Sequence, residues 1–305
     1  MAVTTKLRLV ACIVFLTVGL WESAQGAKSQ FLSDFLPSSL QNPHGSVSRV
    51  RFSSDLIVLE SGSLAFHSPG AAKVLRFAEA AWVIGYKAEI LDVEGKKPGE
   101  NYLCHTFLGD QRVMQHQDRE MKAVYSDAFT REIRFPEGFG IRFGPEDKLN
   151  WMPLFNNRGE RLARVQMRCE IELIREKDLE KPLRRLYSTL RSVKMPHLFF
   201  VPPGRHESQA TFQLPFNGRI HFIGAHIHPH GESMELYNAS RQERVWLGSR
   251  KNDPQGRMVG MEVYSSEEGY AVQAGDTYRL KSTYNNPTQH DIDAMAGAFI
   301  FYSRE

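Results

Sequence analysis

Residues 224–237 read GAHIHPHGESMELY, and His226 and His228 stand two apart at the end of an apolar stretch. On an extended strand, positions i and i+2 face the same side with Cα atoms about 7 Å apart, so the pair would present two imidazoles side by side. Two such imidazoles make a bidentate clamp for copper, zinc or iron. Surface strands also carry paired histidines with no ligand. Unperturbed imidazoles titrate near 6.5 and are mostly neutral at pH 7, as ligation requires. Pro229 interrupts the strand, which places His230 in the turn leading to Gly231.

The elements that must position these histidines read as β. Short segments alternate apolar and polar residues, among them 75–93, 131–143, 163–176, 210–216, 218–228, 244–249, 276–285 and 294–302. Turn formers such as EGKKPGEN, FNNRGE, VPPGRHE and KNDPQG separate them. One segment departs: in residues 176–193, Leu183, Leu186, Leu190 and Val193 fall at helical spacing, which predicts a short helix or linker despite Pro182. At 305 residues the chain is long enough for two domains. The expectation is mainly β, two consecutive antiparallel β-sandwich (jelly-roll-like) domains spanning 27–190 and 191–305.

Residues 1–26 read as a signal peptide: Lys6 and Arg8, the run LVACIVFLTVGLW, then small residues at Ala24 and Gly26. The apolar run is shorter than the ~20 residues that span a bilayer. Cys12 precedes most of that run, unlike the cysteine of a lipoprotein box. A secreted or periplasmic protein with no membrane span after cleavage is expected. Removing Lys6, Arg8 and Glu22 leaves 36 basic and 34 acidic residues, a balance that argues against nucleic acid or an anionic membrane as partner. Cys104 and Cys169 remain, a disulfide candidate in an oxidising compartment. No phosphate loop, serine elbow or H-E-x-x-H helix is present. Asn238-Ala239-Ser240 forms a glycosylation sequon.

Residues 284–302, YNNPTQHDIDAMAGAFIFY, add a methionine in an apolar strand, Met295. Together with the histidine segment they resemble the second domain of the copper type II, ascorbate-dependent monooxygenases, the peptidylglycine α-hydroxylating and dopamine β-monooxygenase family. VPPGRHE, FNGRIHFIGAHIHPHG and AGDTYRLKSTYNN carry that resemblance. Residues 80–109 and 135–157 are more faintly similar to the family's first domain, so the likeness covers roughly residues 75–303. It implies that His226, His228 and Met295 hold an oxygen-activating copper; two imidazoles and a thioether suit Cu(I).

The pattern departs elsewhere. The paired histidines of the family's electron-storing copper match Cys104 and His105, and its third histidine falls at or beside Asn156. Cys104 could still bind Cu(I) with His105, aided by His116, or Cys104 could pair with Cys169. A degenerate first site is the expectation. The positions that grip a peptide carboxylate in the family match Gly224, Gly297 and Phe299, which offer no charge-assisted contact. Asp291 and Asp293 flank His290; an aspartate there could orient a ligand imidazole or simply belong to a polar loop. The resemblance thus implies hydroxylation of a small organic substrate, with O2 and ascorbate or another reductant. The alternative is a copper-binding carrier or accessory subunit, its protein partner unknown.

Overall fold

The computed structural model describes residues 30–62, 72–98, 102–109 and 122–305. The expected signal peptide, Cys12 and His116 lie outside the described residues. Every regular element among those described is a strand, as the alternating pattern predicts, and the fold is a β-sandwich of the jelly-roll kind. No helix there is long and apolar enough to cross a membrane.

The sheets fall into two groups along the chain. In the first, a five-stranded sheet runs Gln30–Leu32, Lys73–Phe77, Leu149–Phe155, Leu103–Gly109, Ala123–Asp127. Its companion is an eight-stranded sheet centred on Ala81–Asp92 and Ala163–Leu179. The inward residues of both fill one core around Trp151, Tyr86, Phe77 and Phe143. In the second group, a four-stranded sheet runs Tyr187–Ser192, Ala296–Arg304, Gly218–Ile227, Tyr264–Val272. It faces a five-stranded sheet that begins Gly204–Gln213, Thr277–Asn286, Gly231–Asn238. A short pair, Phe199–Val201 with Ile292–Ala294, lies beside them.

The two central strands of the four-stranded sheet are buried on both faces. Ile223, Ala225, Ile227, Ala298 and Ile300 point into the second core, whereas Phe222, Phe299 and Phe301 join the first. Period-two alternation therefore assigns each strand half to each core. The ring of Phe299 stacks on Tyr125, and Phe135 packs against Phe222 and Phe301. His226, in step with Phe222 and Gly224, is thereby aimed at the first group.

The helix or linker expected over 176–193 is corrected. The Ala163–Leu179 strand runs into it, Arg184–Arg185 pairs with the Phe139–Phe143 strand, and Tyr187–Ser192 pairs with Ala296–Arg304. Leu183 joins a satellite cluster with Trp82, Leu186 the first core and Val193 the second. No single helical stripe could serve three clusters, so the spacing is incidental. The chain passes between the sheet groups at Leu186, and Leu190 lies within a strand of the second.

Candidate metal centre

The site forms where the strand Leu103–Gly109 of the first group meets the end of Gly218–Ile227. Opposite the first of these strands, Leu154 pairs with His105 and Phe155 with Leu103, so Cys104 is the extra residue of a β-bulge. A bulge breaks strict alternation. It allows Cys104 and His105 to lie on one side, with Cys104 Sγ 3.3 Å from His105 Nδ1.

Cys104, His226 and His228 are all buried, and one donor atom from each lies within 4.8 Å of the others. Cys104 Sγ is 3.9 Å from His228 Nε2. His226 Nε2 is buried and has no hydrogen-bond partner among the described residues. Both imidazoles have Nδ1 on a carboxylate. For His226 it is Asp127 Oδ2 at 3.2 Å, and for His228 it is Asp293 Oδ2 at 2.8 Å.

Each carboxylate is held in turn. Asp127 ends the strand Ala123–Asp127, and its Oδ1 accepts the backbone N–H groups of Phe129 and Thr130 in a tight turn. Thr130 Oγ1 donates to the Ala225 carbonyl, binding that turn to the histidine strand. Asp293 accepts from both terminal nitrogens of Arg158, Nη1 to Oδ1 at 2.8 Å and Nη2 to Oδ2 at 2.7 Å. The His228 N–H bonds to Tyr284 Oη, whose hydroxyl donates to the Met295 carbonyl at 2.5 Å. The turn at His230 has a left-handed backbone, φ 71°, and a Cβ at Gly231 would collide with Ile227. A larger residue at 231 would therefore have to displace the Ile227 side chain where the strand reverses.

Burial alone would raise the Cys104 thiol, but the imidazoles of His105, His226 and His228 hold it well below the usual thiol range. Burial disfavours charge on His226, yet Asp127 and Cys104 outweigh it and push the imidazole up to about 9. His228 shifts the same way against burial, through Asp293 and Cys104. Asp293, though buried, is held well below the usual carboxylate range by His228 and Arg158. The thiol and the two imidazoles thus shift toward their charged forms together, each favouring charge on the other. A bound cation would replace the protons at these donor atoms.

The Cys104–Cys169 disulfide is also corrected, because both thiols are free. Cys169 faces the first core with Sγ 3.2 Å from Tyr86 Oη, and burial pushes it up to about 12. The carbonyl of Met295, the third ligand by resemblance, accepts both the His228 N–H and the Tyr284 hydroxyl. His105 sits edge-on to His226, ring centroids 4.9 Å apart. Of the two aspartates near His290, Asp293 reaches His228. Asn156 donates to the Leu103 carbonyl beside the bulge. Asn238 of the sequon is fully buried, its amide held by Tyr270 and Asp276, so the folded chain presents no acceptor there.

Asp127 and Arg158 escaped the sequence reading. Asp127 is 99 residues from His226 and Arg158 is 135 from Asp293, and neither lies in a local motif.

No family model matches this chain, and no curated protein does. It is similar to the solved major capsid protein P2 of bacteriophage PM2, at 13% identity and TM-score 0.37, over 82% of this chain and 97% of that one. It is similar to the cowpea mosaic virus top component, at 11% identity and TM-score 0.38, over 88% and 91%. The third likeness is to recombinant N-glycanase F, at 10% identity and TM-score 0.39, over 82% and 96%. Likenesses at this level assign no function. The resemblance to copper monooxygenases is corrected on these findings: no family model supports it, and these structures are of other proteins. The site itself is assembled differently. Cys104, which the resemblance assigned to a separate electron-storing copper, stands against the two histidines it assigned to the oxygen-activating one. Reductant-dependent hydroxylation and the copper-carrier alternative fall with it.

Proposed function

We propose that the protein is a metalloprotein that holds one zinc(II) ion between Cys104, His226 and His228, where its two groups of sheets meet. The observation that carries this reading is the paired carboxylates. Metal-binding histidines characteristically give their other ring nitrogen to a carboxylate or carbonyl, and here Asp127 and Asp293 both receive one. Both Nε2 atoms are left for one point beside a thiol.

The donor set supports zinc, which takes thiolate and imidazole together and carries no redox chemistry. Energetics supports an ion as well. An unsatisfied buried nitrogen such as His226 Nε2 costs about 1–3 kcal/mol. A cation would remove that cost. Because Cys104 comes from the first group and both histidines from the second, ion binding would add directly to the stability of their junction.

Protein purified without chelators should contain close to one zinc per chain by elemental analysis, and the Cys104→Ala, His228→Ala double variant should contain none. Metal retained by that variant, copper in place of zinc, or metal-free wild type after zinc dialysis would each overturn the reading. Export is proposed on the pattern of residues 1–26. Sequencing the amino terminus of protein recovered from outside the producing cytoplasm should find Ala27 first, and a retained Met1 would refute cleavage.

A further inference from the structure

We infer that His105 is the fourth ligand of this ion, so that the centre is a closed zinc site of one cysteine and three histidines with no position left for a substrate. The inference rests on the zinc reading above and extends it from three ligands to four.

The bulge at Cys104 is the first ground. On a regular strand Cys104 and His105 would point to opposite faces, and only one could reach the seam. With Cys104 as the unpaired residue, both side chains come to the same place. A bulge beside a ligand cluster commonly serves to re-aim a side chain in this way.

Distances supply the second ground. A tetrahedral zinc with Zn–S near 2.3 Å and Zn–N near 2.0–2.1 Å sets its sulfur and nitrogen ligands roughly 3.5 Å apart. Cys104 Sγ is 3.3 Å from His105 Nδ1 and 3.9 Å from His228 Nε2, one on either side of that value. The His105 ring also lies at 73° to that of His226, as rings converging on one ion can. In this structure the His105 donor atoms lie outside the group of Cys104, His226 and His228 whose donor atoms all come within 4.8 Å of one another, so ligation requires its ring to turn toward the ion.

The third ground is His226 Nε2, buried, unpartnered and directed at this space. His197 is another imidazole nearby. Burial lowers its pKa, with smaller contributions from His105 and His226. It lies on the segment before Phe199–Val201. It serves as the control.

Cobalt(II) substitution of the full chain reads the coordination directly. Wild-type protein should show a thiolate-to-cobalt charge-transfer band and intense four-coordinate d–d bands, neither altered by added azide. His105→Ala should keep the charge-transfer band, lose d–d intensity, bind azide, and recover its spectrum on addition of imidazole, with zinc affinity reduced at least tenfold. His105→Gln, closer in volume, should behave alike if alanine disturbs folding. His197→Ala should match wild type. A wild-type spectrum that shifts with azide, unchanged bands in both His105 variants, or imidazole rescue of His197→Ala instead would overturn the fourth-ligand assignment while leaving the zinc reading intact. Absence of any charge-transfer band in wild type would sink both.

Discussion

Exchanging Cys104 for serine should loosen zinc binding on the order of a hundredfold or more and lower the melting temperature of zinc-loaded protein by roughly 10 °C. Structural zinc sites in small domains bind with about 10–16 kcal/mol shared among their ligands, so one strong ligand accounts for around 3 kcal/mol. Serine is nearly the same size, but its hydroxyl does not ionise near neutral pH and is a poor zinc donor. A ligand at a thousand times its dissociation constant stabilises the folded state by about 4 kcal/mol. In chains of this order of size, 1 kcal/mol moves the midpoint by about 2–4 °C. The exchange should lower the melting of chelator-treated protein by less, because the serine hydroxyl keeps the short contact to His105 and loses only the thiol's interaction with the His226 and His228 rings. Chelator competition and calorimetry with and without zinc measure both effects. Equal melting of wild type and Cys104→Ser in excess zinc would mean that the thiol holds no ion.

The strands and the His-x-His pair were readable because alternation and side-chain periodicity are local properties of the chain. The helix or linker expected over 176–193 does not form, because spacing records which residues are apolar and not which core each one enters. Cys104 was harder. Its meaning depends on a bulge set by the register of Leu154 and Phe155, residues some fifty positions away. The carboxylates divide the same way. Asp293 was visible as a polar residue near His290, but Asp127 meets His226 only because Phe299 and Tyr125 bring the two sheet groups into contact. The copper resemblance rested on short local strings. What distinguishes this centre, a thiol from one group of sheets against imidazoles from the other, is held in no string.

That contact yields the second large expected effect. Phe299→Ala should destabilise the protein by about 3–5 kcal/mol, the usual cost of removing a buried phenylalanine side chain. Phe299 is buried, lies flat on Tyr125 with interplanar angle 13°, and pairs in register with Gly224, two residues before His226. Its ring belongs to the first core although its strand belongs to the second group. Gly224 carries no side chain that could shift to fill the space. Loss of the ring should therefore loosen the junction itself, beyond leaving a void in one sandwich. Zinc affinity should fall with stability, since Asp127 and His226 are held at their 3.2 Å separation by the same packing. Leu186→Ala, which also removes a fully buried side chain of the first core, should cost about 2–5 kcal/mol. Leu186 touches the junction from the chain crossing and not from the histidine strand, so zinc affinity measured well below the melting transition should change less than in Phe299→Ala. Denaturant unfolding together with zinc titration separates the two. A Phe299→Ala protein with wild-type zinc affinity would show that the ligands are positioned without the seam, and that the ring serves only to fill the core.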